Sequence, residues 1–382
     1  MTTHLAAVSL AKGEPFKLQA RPTPKPGPGD LLIEVKSVAL NPADVLMRDQ
    51  GLLIPSYPTV MGFDISGMIL EVGDSVPIAT DPTPGRSLLP GVRVAAYVAF
   101  FWKSCDPDYG AFQERCLVPW QHAVPLPEGI SWNQAATLPV AVQVPLSAWD
   151  MMGIPRGQIS LSFSASAGPV SDTSETRKNK QKKEALLIWG ASSSVGTMGV
   201  QTARVLREDR DSSFAAVYAT AGVANHGYVS SLGADRVFDY KEPQVVDAII
   251  SAAREDGLVI RHCFIATGQL APCQAVLKAF YDDQGEGQQQ AKIASAPVIP
   301  ADAEVVNGVE TVFVMPSMSE QERLAQFQYW MGTWLRENLA IGTIRPSPEP
   351  MVVGKGLEAI NAGLDVLRRG VSCSKLVVEV AE

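Results

Sequence analysis

The stretch LLIWGASSSVGTMGVQTARVL, residues 186–206, decides the fold. An apolar run typical of a buried strand ends at Trp189, a turn of small residues follows, and a helix opens beside Gly196. Small residues let the backbone approach a pyrophosphate, whose charge the helix N-terminus favours. The spacing departs from GxGxxG because Ala191 and Ser193 replace two glycines. The pattern predicts a dinucleotide-binding loop; the alternative is a tight turn in another α/β protein.

The chain that follows this loop alternates strands and helices with short connections. This alternation predicts a parallel, doubly wound sheet, which is the context that a dinucleotide-binding loop requires. The glycine at 199 would let the first helix pack closely on a strand. The predicted strands are 185–190, 214–222, 235–240 and 258–268, and the predicted helices are 195–209, 226–234 and 245–256.

The N-terminal part is rich in short strands separated by turn residues, which predicts a β-rich, partly open barrel. Its strands are predicted at 31–40, 64–73, 91–100 and 112–119. A buried helix is predicted to begin within 131–153, with Thr137 at its start. The C-terminal strand, which follows an amphipathic helix, suits this β-rich part better than the parallel sheet. We therefore predict an α/β protein in which residues 1–150 and 336–382 form one domain and residues 151–335 form an inserted Rossmann domain.

Two polar segments interrupt these elements. Residues 156–184 are Ser/Thr-rich and then basic, which is typical of an exposed insertion; a localisation signal or anion-binding patch is the alternative. Residues 282–290 form a polar surface loop. The segment 305–316 has strand character, and both a monomer and a homodimer stay open.

Composition excludes several classes of protein. The 382 residues include 46% hydrophobic and 19% charged residues, as in a globular protein with a large core. The net charge of −8 argues against binding to nucleic acid or to an anionic membrane. No apolar run approaches a membrane span, and no signal peptide is predicted, so the expected compartment is the cytoplasm. The five scattered cysteines predict neither a disulfide framework nor a thiolate zinc cluster.

The end of the second strand of the predicted sheet bears on the choice of dinucleotide. An NAD enzyme usually carries an acid there, bonded to the ribose hydroxyls, whereas FAAVYATAGVANHGY carries none. Gly222, Asn225 and Tyr240 leave room and donors for a 2′-phosphate. The pattern favours NADPH, although the turn contains no Lys or Arg.

The whole chain resembles the medium-chain dehydrogenase/reductase superfamily. The motifs that carry the resemblance are ALNPADVLMRDQG, PTVMGFDISGMILEVG, GVRVAAY, YGAFQERCLVP, AATLPVAVQVPLSAW, GASSSVGTMGVQTAR, SLGADRVFDY and SKLVVEV. Within the superfamily the chain is most similar to the quinone-oxidoreductase and enoyl-reductase side, and in particular to fungal stand-alone enoyl reductases that partner polyketide synthases. The resemblance implies a GroES-like domain and a Rossmann domain.

Zinc-dependent members of the superfamily carry a cysteine ligand where Asn41 stands and Gly-His-Glu where Gly62-Phe63-Asp64 stands. A phenylalanine cannot ligate, and zinc needs three or four N, S or O ligands. We therefore expect no metal. Phe63 would make the pocket apolar, and Asp64 would be a structural acid bonded to backbone or to a basic side chain such as Arg48. His122 is expected to be an ordinary satisfied histidine.

The resemblance also implies which residues form the site. It places Asn41, Asp44, Met47 and Arg48 beside the nicotinamide, with Thr137 at the cofactor or the substrate carbonyl. Asn41, Asp44, Arg48 and Thr137 are the catalytic candidates. The cofactor-binding candidates are Met47, Ser193, Ser194, Val195, Gly196, Gly222, Asn225, Tyr240, Ala266, Thr267, Ser374 and Lys375.

Several of these residues have a structural alternative. Asp44 would cap the helix that follows it, and Arg48 would be a solvated helix residue. Thr137 would be a helix-start hydroxyl, and Tyr240 an ordinary strand aromatic. No tyrosine is assigned as general acid; Tyr57 lies in a suitable loop but has no clear alignment. Many relatives also carry a lysine where Ala224 stands.

Without zinc to polarise an oxygen atom, the chemistry expected is NADPH-dependent reduction of an activated C=C bond. The substrate implied by the resemblance is an enoyl thioester, carried by a polyketide synthase partner or presented as a small molecule. Two alternatives remain: a reductase of quinones or free enones, and a non-catalytic protein that only binds the cofactor.

Overall fold

A computed structural model describes residues 2–77, 87–156, 183–282 and 290–380. The insertion predicted at 156–184 and the loop predicted at 282–290 lie almost entirely outside these ranges. The chain forms two compact units. The first unit comprises Met1–Val144, Ser192–Met198 and Pro316–Glu382, and the second comprises Pro145–Ala191 and Gly199–Met315.

The strands and helices are numbered here along the chain. The strands are β1 Thr3–Ser9, β2 Lys17–Pro22, β3 Asp30–Ala39, β4 Thr59–Val60, β5 Asp64–Val72, β6 Arg93–Tyr97, β7 Arg115–Pro119, β8 Ala123–Pro125, β9 Glu184–Trp189, β10 Phe214–Thr220, β11 Arg236–Phe238, β12 Val259–Ile265, β13 Ala291–Ser295, β14 Val309–Phe313, β15 Pro350–Lys355 and β16 Lys375–Glu379. The helices are α1 Pro42–Gln50, α2 Trp132–Ala136, α3 Leu138–Met152, α4 Ser194–Glu208, α5 His226–Ser231, α6 Val245–Glu255, α7 Leu270–Asp282, α8 Glu320–Phe327, α9 Arg336–Ala340 and α10 Ala359–Arg368; a π-helix, Gln328–Leu335, joins α8 to α9.

The second unit contains a six-stranded sheet in the order β11-β10-β9-β12-β13-β14. Every adjacent pair is parallel. Counted from β9, the order is 3-2-1-4-5-6, which is that of dinucleotide-binding sheets. The central strand β9 is apolar because it is buried between layers, as its sequence predicts.

The first helix of this sheet lies close to it because of a glycine. A Cβ atom on Gly199 of α4 would lie 3.0 Å from the ring of Phe264 on β12, so a larger residue would push the helix outward. Trp149 of α3 packs edge-on against the same ring. The packing role predicted for Gly199 is confirmed.

The first unit contains a seven-stranded sheet whose main path is β15-β16-β3-β5-β6-β8, with β7 also paired to β3. All its pairs are antiparallel except β15 with β16. A smaller sheet has the order β2-β1-β4. The closing strand β16 pairs with β3, so the end of the chain belongs to this unit, as predicted.

The segment 131–153, in which a buried helix is predicted to begin, contains two helices, and the longer one starts directly after Thr137. The first begins at a capping box between Ser131 and Gln134 and ends at Thr137. The second follows at once, with Pro139 in its first turn, where its missing N–H costs little. None of the helices in the described ranges has the length and apolar character that a bilayer crossing requires.

Candidate active site

Three neighbouring strands of the first unit bring together a buried cluster of an amide, a carboxylate and an ammonium group. Asn41 follows β3, Asp64 begins β5 and Lys375 begins β16; these strands are adjacent in the sheet. Asp64 lies opposite Ala39 in the register of β3 and β5. The side chains of Lys375 and Asp64 are 4% and 0% exposed, so this ion pair is shielded from water.

The hydrogen bonds of this cluster use both oxygen atoms of Asp64. Its Oδ2 accepts from Asn41 Nδ2 and lies 3.0 Å from Lys375 Nζ. Its Oδ1 accepts from the backbone N–H of Val140, in the first turn of α3, at 2.7 Å. Lys375 Nζ also donates to Asn41 Oδ1 at 2.5 Å. Asp64 is therefore the structural acid that the sequence predicts, but its basic partner is Lys375 and not Arg48.

The backbone before Asp64 needs a glycine. Gly62 has φ +99, and a Cβ atom there would lie 2.6 Å from the ring of Phe112. This conformation turns the chain so that Phe63 and Asp64 are both buried. The opening of β5 is therefore fixed by packing as well as by the ion pair.

Asp44 lies at the N-terminus of α1, close to this cluster. Its Oδ2 accepts from the backbone N–H of Asn41 at 2.7 Å. Asp44 therefore takes part in capping, but as the third residue of a helix whose N-cap is Asn41 and not as a residue that precedes the helix. Its Oδ1 is buried and has no hydrogen-bond partner among the described residues. Burial raises the pKa of Asp44 to about 7, against the smaller opposing effects of its bond to Asn41 and of Lys375. Below that pH the carboxyl group is neutral.

An aromatic wall surrounds Phe63. Its ring centroid lies 5.1 Å from that of Phe100 and 5.7 Å from that of Tyr97. Tyr97 also packs against Phe327, the last residue of α8, at 4.9 Å. Phe63 thus makes this region apolar, as predicted.

His122 stacks on Phe327 at 3.8 Å, and its Nδ1 donates to the carbonyl oxygen of Tyr97. Burial lowers the pKa of His122 to about 3, so the ring is neutral. Its Nε2 has no partner among the described residues. His122 is thus a core histidine with one of its two nitrogen atoms satisfied.

Arg48 belongs to a structural clamp. Its guanidinium pairs with Asp49 at 2.7 Å and with Asp365 of α10 at 2.8 Å, and it donates to the carbonyl oxygen of Asn361. Asn361 in turn bonds both the N–H and the carbonyl of Phe16. Arg48 is 5% exposed, so the solvated-helix alternative was wrong.

The other candidates of the first unit make local contacts. Met47 is buried in α1. Thr137 ends α2, and its hydroxyl donates to the carbonyl oxygen of Gln134 at 2.7 Å; it lies between two helices. Ser374 bonds the carbonyl oxygen of Ser372.

The loop between β9 and α4 begins with a strained turn. Gly190 has φ +77, and a Cβ atom there would lie 2.5 Å from the carbonyl oxygen of Thr267. Its N–H donates to the hydroxyl of Thr220 at the end of β10, and the N–H of Ala191 donates to the carbonyl of the same residue. The ends of β9, β10 and β12 therefore hold this turn, with Ala266 and Thr267 following β12.

The loop continues into the N-terminus of α4. Ser193 precedes the helix, and its hydroxyl accepts from the N–H of Gly196 at 3.1 Å. The hydroxyl of Ser194 is buried and has no partner among the described residues. An unsatisfied hydroxyl at a helix N-terminus is compatible with a phosphate group. The pyrophosphate-binding role of Ser193, Ser194, Val195 and Gly196 stays a prediction.

The end of β10 carries no acid. Ala221 and Gly222 follow Thr220, and a Cβ atom on Gly222 would meet no atom within 4 Å, so space lies above it. Asn225 ends a short 3₁₀ turn in the same region. Tyr240 is 46% exposed, with Lys241 Nζ 5.9 Å from its ring centroid. Tyr240 follows β11 and does not lie within it.

Comparisons with known proteins identify the family. Residues 27–128 match the alcohol dehydrogenase GroES-like domain. Trans-enoyl reductase tndF of Aspergillus flavipes is 38% identical over 378 residues, which cover 98% of this chain and 98% of that protein. Trans-enoyl reductase tazE of Aspergillus terreus is 39% identical over 323 residues, or 84% of this chain and 94% of that protein. The chain belongs to the enoyl-reductase branch of the medium-chain dehydrogenase/reductase superfamily.

The fold agrees with this membership. The crystal structure of CurK enoyl reductase shares it, with a TM-score of 0.69 and 16% identity over 99% of both chains. The predicted fold class, a GroES-like part and a parallel Rossmann-type sheet, is confirmed.

The side chains of the buried cluster do not fit the zinc of other superfamily members. Asn41, Phe63 and Lys375 offer no thiolate or imidazole, and the ammonium group already neutralises Asp64. Within the described residues, no group of three His, Cys, Asp or Glu side chains could hold a metal ion.

Two contributions were missed from the sequence. The pairing of Lys375 with Asp64 joins distant segments, and no local pattern signals it. Lys241, whose Nζ lies 5.9 Å from the ring centroid of Tyr240, was also overlooked.

Proposed function

We propose that this chain is an NADPH-dependent reductase of α,β-unsaturated thioesters that acts in trans with a polyketide synthase. The observation that carries the proposal is the buried cluster of Lys375, Asp64 and Asn41, which holds an ammonium hydrogen-bond donor in a fixed position. The identity to two trans-enoyl reductases supports the substrate class. In this proposal the protein acts in the cytoplasm, as a monomer or homodimer.

In this proposal, the residues of the chain orient the reactants. NADPH, when bound, would supply the hydride that the β-carbon of the enoyl group accepts. We propose that Ser193, Ser194, Val195 and Gly196 bind its pyrophosphate, and that Ala266, Thr267 and Ser374 contact the nicotinamide ribose region. Asn41, Asp44, Met47 and Thr137 would border the nicotinamide and substrate. Arg48 would support this region by holding α1 to α10, because its guanidinium is bound within the clamp.

The preference for NADPH rests on charge at the end of β10. An acidic side chain there would repel a 2′-phosphate. This chain has Gly222 instead, and a Cβ atom on it would meet no atom within 4 Å. Asn225 and Tyr240 would donate hydrogen bonds to the phosphate, and Lys241 would add a positive charge. These contacts would compensate for the lysine that many relatives carry where Ala224 stands.

Steady-state assays of the purified protein test this function. NADPH and NADH would each be combined with a crotonyl thioester, a free enone and a quinone. We expect NADPH oxidation with the thioester, at a kcat/KM at least about tenfold higher than with NADH. Turnover of quinones or enones without any thioester turnover would replace the proposal with the small-molecule reductase. Tight NADPH binding without turnover of any acceptor would indicate a non-catalytic protein.

The phosphate loop gives a second test. Gly190→Ala should weaken NADPH binding at least about tenfold, because a Cβ atom at φ +77 collides with the carbonyl oxygen of Thr267 and moves the turn. Affinity would be measured by the change in NADPH fluorescence. Gly227→Ala is the matched control, since its Cβ atom would meet nothing and the helix favours alanine. Equal affinities for both variants would contradict the proposed pyrophosphate site.

A further inference from the structure

The ammonium group of Lys375 has an unused hydrogen-bond donor. An ammonium carries three N–H groups. One is donated to Asn41 Oδ1, the nitrogen atom lies 3.0 Å from Asp64 Oδ2 in the ion pair, and no further partner is found among the described residues. Asp64 and Asn41 hold the nitrogen atom from two sides, so the direction of the third N–H is also restricted.

The surroundings increase the electrostatic effect of this group. Lys375 is 3% exposed, and the apolar Phe63 lies beside Asp64, to which its ammonium is bound. Charges in a region that excludes water interact more strongly than charges in solvent. The partners are already fixed by the fold, so little reorganisation is needed when negative charge develops nearby.

We propose that Lys375 is the electrophile of the reaction, donating its third N–H to the carbonyl oxygen of the enoyl thioester. This inference rests on the proposed function. When hydride adds to the β-carbon, the π electrons of the C=C bond shift towards the carbonyl oxygen and form an enolate. The ammonium stabilises that oxygen without giving up its proton. The enolate then takes a proton from solvent at the α-carbon, which completes the reduction.

This role differs from the contact with the cofactor that the sequence resemblance implies for Lys375. Its Nζ is engaged in the cluster with Asp64, which stands where zinc-dependent members carry a glutamate beside a metal ligand. A residue that polarises the substrate should affect kcat, whereas a residue that binds the cofactor should affect NADPH affinity.

A double substitution separates catalysis from stability. Asp64→Asn with Lys375→Met removes both charges and keeps the volumes similar, so the protein should fold. We expect kcat with a crotonyl thioester to fall at least about 100-fold, while the Kd for NADPH stays within about threefold. The matched control, Arg21→Met with Asp108→Asn, removes a partly exposed ion pair of the same unit and should leave kcat unchanged.

The outcomes distinguish this inference from the proposed function. A double variant with the kcat of the wild type would overturn the inference and leave the proposed function intact. A large loss of NADPH affinity would instead indicate that Lys375 binds the cofactor. If the wild type reduces only free enones, the thioester proposal fails, and the same variants are assayed with an enone.

A second measurement applies if the double variant does not fold. In wild-type protein labelled with ¹⁵N-lysine, binding of a saturated butyryl thioester with NADP⁺ should shift the buried Nζ resonance of Lys375. An unchanged resonance at saturation would overturn the inference.

Discussion

Replacing Lys375 alone by methionine should lower the free energy of unfolding by about 3–5 kcal/mol, because it leaves a buried carboxylate without its cation. Asp64 is fully buried and would keep only Asn41 and the N–H of Val140 as partners. Those two neutral donors replace little of the hydration that the carboxylate loses on folding. Denaturant unfolding at pH 7, followed by far-UV circular dichroism, measures the change.

The double variant Asp64→Asn with Lys375→Met completes a thermodynamic cycle. Its stability should lie within about 1–2 kcal/mol of the wild type, because no uncompensated charge remains. The single Asp64→Asn variant should lose stability comparable to Lys375→Met. A loss below about 1 kcal/mol for Lys375→Met would show that water reaches the pair and that the cluster is not the shielded site described here.

The elements of the fold could be predicted because their signals are local. The apolar strand β9, the small-residue turn and the helix α4 are contiguous, and the alternation that follows fixes a parallel sheet. The helix start at Thr137 was predicted, but the separate short helix α2 before it was not, because the apolar periodicity continues across Thr137. The hydrogen bond of Thr137 to Gln134 and the start of α3 at Leu138 reveal two helices.

The chemistry of the site was harder to predict from the sequence because it depends on contacts between distant segments. Asp64 was recognised as a structural acid bonded to backbone or to a basic side chain, with Arg48 given as an example of that side chain. Lys375 is 334 residues from Asn41 and reaches it only because β16 and β3 pair. Arg48 points to Asp365 because α1 packs against α10, which no periodicity indicates.

Asp44→Asn should gain stability relative to the wild type as the pH rises. The pKa of Asp44 is raised from 3.8 to about 7 by burial, so the folded protein holds a proton that the unfolded chain releases. The stabilisation that protonated Asp44 gives the folded protein is therefore fully present below about pH 3.8. It is lost as the pH rises through about 7. The lost contribution approaches about 4 kcal/mol at pH 8, at about 1.4 kcal/mol per unit of pKa shift.

Asparagine is the suitable replacement because its carbonyl oxygen still accepts from the N–H of Asn41. The groups that act on Asp44 electrostatically, Lys375 and Asp64, are unchanged in the variant. The free energy of unfolding is measured at pH 5 and at pH 8 for the variant and for the wild type. The variant's value minus that of the wild type should be larger at pH 8. Asp108→Asn, which alters a partly exposed carboxylate, should stay within about 0.5 kcal/mol of the wild type at both values. A pH-independent difference for Asp44→Asn would mean that Asp44 is already ionised at pH 5, and that the ammonium of Lys375 is shared between two carboxylates.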